Sequence, residues 1–315
     1  MTTRTPVLPV LAAAALLLTA CGTQPAGIED VEAGGRAPGA PSSRPVDDPG
    51  KDGVRITSLT LPPVSPSPSS SPSSSPSSSD SGISATYEVT NTGTETLTFT
   101  VIVTFTDAAG GAMSNQTVTV RDVGPGKTVR GTVRAGELPP STPRVTGAKV
   151  FKVTTVPAGE APAEDGACPA SGIRVYADRG DAAMGLRVVG LHLENCGTRD
   201  YTVEGYPLLE LLDSGMKPVG GIEVLKGSGK ITTGAGPDEP PRRVVLRPAE
   251  AATASLVWRN TTEAGTPVTV PHVRVRAKAG AAPVIVTPEL DLGTTGRLGV
   301  RPWKKAERSA GASAG

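Results

Sequence analysis

An alternation of apolar and polar side chains over residues 97–106, interrupted at Ile102, constrains the fold more than any other feature of the chain. Threonine fills most of the even positions, and the odd positions carry Leu97, Phe99, Val101, Val103 and Phe105. Because successive side chains on a strand point to opposite faces, this period of two predicts a half-buried β-strand. A helix would spread the same apolar residues around its axis, so helical packing is excluded for this segment.

Similar patterns on both sides extend this strand into one β-domain over residues 54–156. Further strands are predicted at 54–61, 83–89, 116–120, 128–133 and 149–156. Glycine-containing turns separate several of them, at 91–93, 107–111 and 124–127. Short strands between frequent turns are typical of a β-sandwich.

A segment of mainly serine and proline, residues 62–81, interrupts this domain after its first strand. Serine and proline favour extended, solvated chain, so we expect a disordered loop. Each doubling of loop length costs only about 0.6 kcal/mol, so the strand at 54–61 can still belong to the sandwich. A stalk or an O-glycosylated stretch is the alternative interpretation.

The order of motifs in this domain resembles that of a known family. The matching features are the Asn91-Thr92-Gly93 turn, the long Thr/Val/Phe strand that ends at Asp107, and the later Gly124-Pro125-Gly126-Lys127 turn. They are similar to the FxLYD-like immunoglobulin-type domains of bacterial lipoproteins. The resemblance implies an immunoglobulin-like sandwich.

A linker with proline and acidic residues, 157–166, leads to a second β-rich region at residues 167–303. Nine short strands are predicted there, at 173–176, 185–194, 201–204, 208–212, 243–246, 252–258, 273–277, 284–286 and 297–300. They predict a second sandwich, so the fold class is all-β with two immunoglobulin-like domains. Residues 304–315 are expected to form a disordered tail.

Several motifs of the second region resemble the DUF4232 family of actinobacterial exported proteins. They are Cys168-Pro169-Ala170, Asn195-Cys196-Gly197, Gly205-Tyr206-Pro207, Val245-Leu246-Arg247-Pro248 and the closing segment 291–296. That family has no assigned biochemical activity. The resemblance therefore implies a fold and an exported location, without a function.

Residues 1–20 have the features of a bacterial lipoprotein signal. A basic residue, Arg4, precedes an apolar run, and the run ends in the lipobox Leu18, Thr19 and Ala20 directly before Cys21. The run of about twelve residues would rise only about 18 Å as a helix, against a hydrocarbon core of about 30 Å. A secretory signal with an incidental cysteine is the alternative.

Cys21 is the predicted lipidation site. In bacterial lipoproteins this cysteine takes a diacylglyceryl group and becomes the first residue after cleavage, and two acyl chains give stable anchoring. We therefore expect a protein held on the outer face of the cytoplasmic membrane by a palmitate-type anchor. Residues 21–53 lack apolar periodicity and are predicted to form a disordered tether.

The chain has three cysteines, an odd number that needs an explanation in an exported protein. If Cys21 carries lipid, Cys168 and Cys196 are free to form a disulfide in an oxidising compartment. Two reduced, buried thiols are the alternative.

The charge balance predicts no nucleic-acid partner, because 31 Lys+Arg against 30 Asp+Glu leave a formal charge of +1. The basic cluster Arg301, Lys304 and Lys305 is interpreted as part of a solvated tail.

Residues suited to catalysis or metal binding are scarce. The two histidines, His192 and His272, lack the spacing of a zinc pair. Asp178, Asp181 and Glu194 lie near predicted strand ends and are interpreted as solvated turn residues, although a carboxylate pair across a sheet leaves no linear signature. We predict no metal, no cofactor and no enzymatic activity.

Three aromatic residues, Tyr206, Trp258 and Trp303, form the candidate binding surface, because exported sandwiches often bind sugars on aromatic faces. Tyr206 lies in a Gly-Tyr-Pro corner and Trp258 ends an alternating strand, which favours a structural role for both. Trp303 follows the last predicted strand and is expected to be more open.

These patterns predict a lipid-anchored, extracytoplasmic binding or adhesion module of the bacterial envelope. Besides the membrane, its expected partner is an unknown envelope protein or polysaccharide. Two alternatives remain at this point, an accessory lipoprotein that recruits another envelope protein and a secreted hydrolase with an acidic site.

Overall fold

A computed structural model of the chain describes residues 41–63, 80–139, 141–234 and 236–307. Within these ranges the chain is essentially all-β, with one short 3-10 helix (Ala158–Glu160) and no α-helix, which confirms the predicted fold class. The signal peptide, the lipobox, Cys21 and most of the Ser/Pro segment lie outside the described residues.

The first region is a sandwich of seven strands: β1 (Ser42–Pro45), β2 (Val54–Leu61), β3 (Ser84–Thr90), β4 (Leu97–Thr106), β5 (Ala112–Val123), β6 (Thr128–Arg134) and β7 (Gly147–Pro157). One sheet has the strand order β1-β2-β3-β6, and the other has the order β5-β4-β7. The two sheets enclose a single apolar core. The pairing of β2 with β3 shows that residues 54–61 belong to this sandwich, as predicted.

The alternating strand β4 lies at the centre of its sheet, and its predicted apolar face points into the core. Phe99, Val101, Val103 and Phe105 are each at most 2% exposed. Burying a side chain of this size contributes about 1.5–3 kcal/mol, so this face supplies much of the free energy that holds the sheets together.

The second region contributes fourteen described strands: β8 (Ile173–Ala177), β9 (Asp181–Ala183), β10 (Leu186–Asn195), β11 (Tyr201–Glu204), β12 (Leu208–Leu212), β13 (Glu223–Lys226), β14 (Arg243–Leu246), β15 (Ala251–Arg259), β16 (Thr269–Val270), β17 (His272–Arg276), β18 (Val284–Val286), β19 (Leu290–Asp291), β20 (Arg297–Val300) and β21 (Lys304–Lys305). A large sheet has the order β13-β20-β15-β10-β8, with β9 paired to β10 and β21 paired to β15. The smaller sheets β12-β17-β18, β11-β14 and β16-β19 share one core with it.

All nine strands predicted in this region are present, and five more were missed. The missed strands, β9, β13, β16, β19 and β21, have two to four residues each. Three of them pair with predicted strands, β9 with β10, β13 with β20 and β21 with β15, whereas β16 and β19 pair with each other.

Two boundaries differ from the sequence-based predictions. Strand β1 lies inside the expected tether 21–53, and β21 lies inside the expected tail 304–315. All residues of both strands are exposed. Backbone pairing, with β2 and β15 respectively, keeps them in place together with the side-chain bonds of Arg44 to Thr146 O and of Lys305 to Glu250. Because neither strand has buried apolar residues, the apolar pattern of the sequence could not predict β1 or β21.

Both sandwiches contain the same corner, in which a fully buried asparagine closes the end of a strand. The side-chain amide donates to two backbone carbonyls, and its oxygen accepts the N–H of the glycine two residues later. The partners of Asn91 are Glu95 O and Val123 O, both at 2.7 Å, and Gly93 N at 2.9 Å. Those of Asn195 are Arg199 O and Leu246 O, both at 2.8 Å, and Gly197 N at 3.2 Å.

A disulfide between Cys168 and Cys196 reinforces the second corner, which confirms the predicted pairing. It ties the segment before β8 to the end of β10 across a sequence separation of 28 residues. On the chain-entropy account, closing a loop of this length stabilises the fold by about 3.5 kcal/mol.

The two sandwiches, which belong to one compact unit (Ala40–Gly315), meet through a small apolar cluster and ion pairs. Val156 of β7 packs with Leu212 and Ile285 of the second sandwich. The predicted linker 157–166 is held against this contact, because Glu160 forms an ion pair with Arg274 of β17 at 2.7 Å. The linker is therefore part of the folded structure.

His272 of β17 lies near this contact and is only 4% exposed. Its Nδ1 has no hydrogen-bond partner among the described residues. Burial lowers the pKa of His272, and Lys152 of β7 lowers it further, whereas Asp213 acts in the opposite direction. Lys152 itself is paired with Glu289. The folded protein therefore holds this imidazole neutral.

We expect replacement of Asn195 by alanine to lower the free energy of unfolding by about 2–3 kcal/mol, because the buried carbonyl of Leu246, the carbonyl of Arg199 and the N–H of Gly197 lose their partner. Urea denaturation followed by tryptophan fluorescence measures this effect, since both tryptophans lie in the second sandwich. Thr198→Ala, at an exposed position in the same sandwich, is the control and should cost less than about 1 kcal/mol. An equal cost for both variants would contradict a special role for the corner.

We expect mild acid to destabilise the protein through His272. An unfolded imidazole takes up a proton below about pH 6.5, whereas the buried one resists protonation, so unfolding is favoured as the pH falls. Between about pH 7.5 and 5.5 this linkage removes up to about 1.4 kcal/mol of stability. His272→Leu should flatten this pH dependence in urea titrations that compare it with the wild type. A slope unchanged in His272→Leu would refute the assignment.

Candidate functional site

The structure does not place the predicted aromatic residues on an open surface. Trp258 and Trp303 are 2% and 1% exposed, so the prediction that they form a binding surface is wrong. Their indole N–H groups are satisfied inside the fold, by Asp291 Oδ1 at 2.7 Å and Ala277 O at 3.0 Å. Burial of a large indole ring stabilises the fold when its N–H has a hydrogen-bond partner, which explains why Trp258 and Trp303 both lie in the core.

Tyr206 is half-buried and packs against the core of the second sandwich. The preceding Gly205 has a φ of +85°, which favours glycine, so the Gly-Tyr-Pro segment is a corner between β11 and β12. Lys226 Nζ lies 5.8 Å from the centre of the Tyr206 ring. These contacts agree with the structural role that the sequence favoured for Tyr206.

The outer face of the large sheet carries polar side chains in register. Tyr176, His192, Thr253 and Lys304 lie opposite one another on β8, β10, β15 and β21. Paired residues on neighbouring strands project from the same face, so these four side chains form one row across the sheet. We call this set the polar row.

At the β8 edge, the polar row is held by ion pairs and hydrogen bonds. The Tyr176 ring stacks on His192 with centroids 4.9 Å apart, and its hydroxyl donates to Glu194 at 2.7 Å. Arg174 pairs with the other carboxylate oxygen of Glu194 at 2.8 Å. Burial, followed by the hydrogen bond to Glu194, raises the pKa of Tyr176 to about 12, so the phenol stays a donor.

Asp178 holds the other side of His192, with Oδ2 at 3.1 Å from Nε2. Its second oxygen accepts the N–H of Gly190 at 2.9 Å. A Cβ at position 190 would lie 2.2 Å from Asp178 Oδ2, so only glycine leaves room for this carboxylate. In the described part of the chain, the hydrogen-bond partner of the His192 ring is Asp178, and no hydroxyl is bonded to it.

The three acidic residues considered in the sequence have different surroundings. Asp178 bonds to the N–H of Gly190 and to the ring of His192. Glu194 bonds to Tyr176 and Arg174. Asp181 lies exposed on β9. Asp178 and Glu194 therefore both act in holding β8 to β10.

Beyond Thr253, the polar row leads into a cavity of about 350 Å³ between β14 on one side and β15 with β21 on the other. Thr253 and Ser255 contribute hydroxyl side chains to its lining. Five cations also line it, Arg242, Arg243, Arg301, Lys304 and Lys305, against a single carboxylate, Glu239. We call this cavity the basic groove.

Two of these cations are already paired. Lys305 Nζ binds Glu250 at 2.7 Å, and Arg301 donates to Pro237 O at 2.5 Å. The other three, Arg242, Arg243 and Lys304, are exposed and make no ion pair or hydrogen bond through their side chains with any described residue. The groove therefore presents three cationic side chains free to meet a ligand.

The basic cluster at 301–305 was interpreted from the sequence as part of a solvated tail, and this interpretation is wrong. Trp303 is buried and β21 pairs with β15, so the flanking cations are fixed on the sandwich. Arg242 and Arg243 were missed as site residues. The pair of arginines after Pro240-Pro241 was visible, but nothing in the linear sequence connected it to Lys304.

Residues 168–304 match the family model described as Domain of unknown function (DUF4232). The match agrees closely with the predicted range 167–303 and contains the disulfide, the polar row and all but one of the groove cations. Comparison with curated proteins finds no match.

Two general properties of the described ranges bear on the site. No helix in them has the length and apolar character needed to cross a membrane. No group of three or more His, Cys, Asp or Glu side chains in the same ranges is arranged to hold a metal ion.

The loop 227–238 of the DUF4232 domain positions one wall of the basic groove. Asp238 accepts the N–H of Ser228 at 2.6 Å and that of Gly229 at 2.8 Å, and these donors, Ser228 above all, lower the pKa of Asp238. The loop lies flat on the sheet, since a Cβ on Gly299 would meet Gly227 O at 2.7 Å. Arg301 bonds to the end of this loop, at Pro237.

We expect Asp238→Ala to loosen this loop, because two backbone N–H groups and the Ser228 hydroxyl lose their acceptor. The free energy of unfolding should fall by about 1–2 kcal/mol. Hydrogen exchange measured by mass spectrometry should show faster exchange of the Ser228 and Gly229 amides. Glu239→Ala, at the neighbouring exposed position, is the matched control. Equal protection of these amides in the two variants would show that Asp238 does not hold the loop.

Proposed function

We propose that this protein is a lipid-anchored, extracytoplasmic binding module of the bacterial envelope, and that it binds an envelope component without catalysing a reaction. The basic groove carries this proposal, because it combines a cavity of about 350 Å³ with three unpaired cations and two hydroxyl side chains. A volume in this range lies within that of small-ligand sites.

The disulfide supports the extracytoplasmic part of the proposal. Disulfides persist in oxidising compartments and are rare where thiols are kept reduced. The Cys168–Cys196 bond therefore fits a protein that works outside the cytoplasm. The lipid anchor rests on the sequence around Cys21 and on the resemblance of residues 54–156 to FxLYD-like domains of bacterial lipoproteins.

The chemistry of the groove favours binding over catalysis. Arginine and lysine side chains supply positive charge and hydrogen-bond donors, but their ordinary pKa values lie too far above neutral pH for proton transfer. The acid residues on the same face are tied into the β8–β10 contacts. A hydrolase with an acidic site has less support for these reasons.

The alternative is an accessory role in which the protein recruits another envelope protein. This role would require exposed apolar side chains at the surface that meets the partner. Those with the largest exposed fractions are Met184 at 99%, Phe151 at 58%, Val224 at 48% and Leu208 at 46%. Each lies on a different strand or turn, whereas protein interfaces need contiguous apolar patches. Recognition of a polar envelope component fits the surface better.

Replacing Cys21 by serine tests the anchoring. The wild-type protein should be recovered in the membrane fraction with a diacylglyceryl mass on its N-terminal peptide, because two acyl chains hold it stably. Cys21→Ser should lose that mass and appear in the soluble fraction or the medium.

The double variant Cys168→Ser, Cys196→Ser is the control for this experiment, because it removes the two disulfide-bonded cysteines together, keeps Cys21 and should leave the protein in the membrane fraction. A Cys21→Ser protein that still sediments with membranes, unaltered in mass, would refute the lipid anchor. Crosslinking in intact cells then separates the binding role from the accessory role, through recovery of polysaccharide or of one reproducible protein.

A further inference from the structure

The basic groove concentrates positive charge in a chain that is almost neutral. The whole sequence has a formal charge of +1, yet five cations line this cavity beside a single carboxylate. Even after the pairing of Lys305 with Glu250 and the bonds of Arg301, three side chains stay unneutralised. A concave surface with charges of one sign attracts ligands of the opposite sign.

The chemistry of these cations points to an oxyanion. Arg242 and Arg243 each carry a planar guanidinium, whose parallel N–H groups match the two oxygens of a carboxylate or phosphate. Lys304 adds a mobile point charge from the opposite wall. The lining of the groove therefore offers two guanidinium groups and one ammonium group to an anionic ligand.

The rest of the groove fits a ligand rich in hydroxyl groups. Thr253 and Ser255 supply hydroxyl side chains, which both donate and accept hydrogen bonds. From Thr253 the polar row continues over His192 to Tyr176, so polar contacts extend beyond the cavity along the sheet. Such a surface suits a chain of sugar units better than a compact anion.

We propose that the basic groove binds an oxyanion carried on an envelope glycan, a phosphodiester or a uronate carboxylate, with Arg242, Arg243 and Lys304 as its ligands. This inference rests on the proposed binding function and names the chemical class of what is bound. Thr253 and Ser255 recognise neighbouring sugar hydroxyls. Because the cations are exposed, the affinity depends strongly on ionic strength.

Binding of the full-length protein in nonionic detergent to defined polymers tests the proposal. The probes are poly(glycerol phosphate) for the phosphodiester, polygalacturonate for the uronate, dextran as a neutral glycan and polyglutamate as an anion without sugar. At least one of the first two should bind about tenfold or more tightly than dextran and polyglutamate. The tighter of the two identifies the source of the oxyanion.

The triple variant Arg242→Gln, Arg243→Gln, Lys304→Gln should bind the preferred glycan at least about tenfold more weakly, since charge-assisted hydrogen bonds are lost. Its matched control is Arg144→Gln, Lys149→Gln, Lys217→Gln, which removes the same charge from exposed positions outside the groove and should bind as the wild type does. Thr253→Val, which changes no charge, should weaken glycan binding a few-fold and leave the salt dependence unaltered.

Equal binding by the two triple variants, failure of both anionic glycans to bind, or equally tight binding of polyglutamate would each overturn the proposal. Co-sedimentation with purified bacterial cell walls separates this failure from that of the proposed function. If the wild type and the groove variant sediment equally well, the binding function stands and the groove is not its site. If neither protein sediments, the binding function itself fails.

Discussion

The buried corner at Asn195 is the contact on which the geometry of the second sandwich depends. Its side chain bonds to Leu246 O at the end of β14, and its backbone bonds to Ala249 and Glu250 in the following turn. Because Asn195 also ends β10, this one residue fixes β14 relative to the large sheet. The separation between β14 and β15 sets the width of the basic groove. The buried side-chain amide of Asn195 therefore helps to determine the shape of the candidate site, although Asn195 does not line the groove.

The second wall of the groove depends on Trp303. The indole is buried and bonded to Ala277 O, while the backbone N–H bonds to Gly205 O in the Gly-Tyr-Pro corner. These contacts hold the chain directly before Lys304, which pairs with Thr253 on β15. Trp303, which the sequence suggested as a ligand contact, thus holds the backbone that carries Lys304. On the proposed function, Trp303 contributes to binding only by fixing the position of Lys304.

The sequence allowed prediction of those elements whose local pattern reflects their burial. The alternation in β4, the turn at 91–93 and the Cys168–Cys196 pair were visible in the chain, because each follows from neighbouring residues or from a simple count. The buried bonds of Asn91 and Asn195 were not predicted, since their carbonyl partners at Val123 and Leu246 are far away in sequence. The groove was not visible. Arg243 and Lys304 are far apart in sequence, and exposed cations carry no period, so only the packing of β14 beside β21 brings them together. Strand β1 escaped prediction because all four of its residues are exposed, so no apolar period marks it in the sequence.

If the proposed function is correct, the membrane anchor explains why exposed cations in the groove are sufficient for binding. Solvated charges bind an anion weakly one by one, because water and salt compete for them. A protein confined to a membrane beside a polymer meets many copies of the same anionic group, and this confinement raises the effective concentration of the ligand. Deep burial of the arginines would strengthen each contact but would cost free energy whenever the groove is empty. An open groove on a lipid-anchored protein avoids that cost and still keeps it attached to the surrounding polymer.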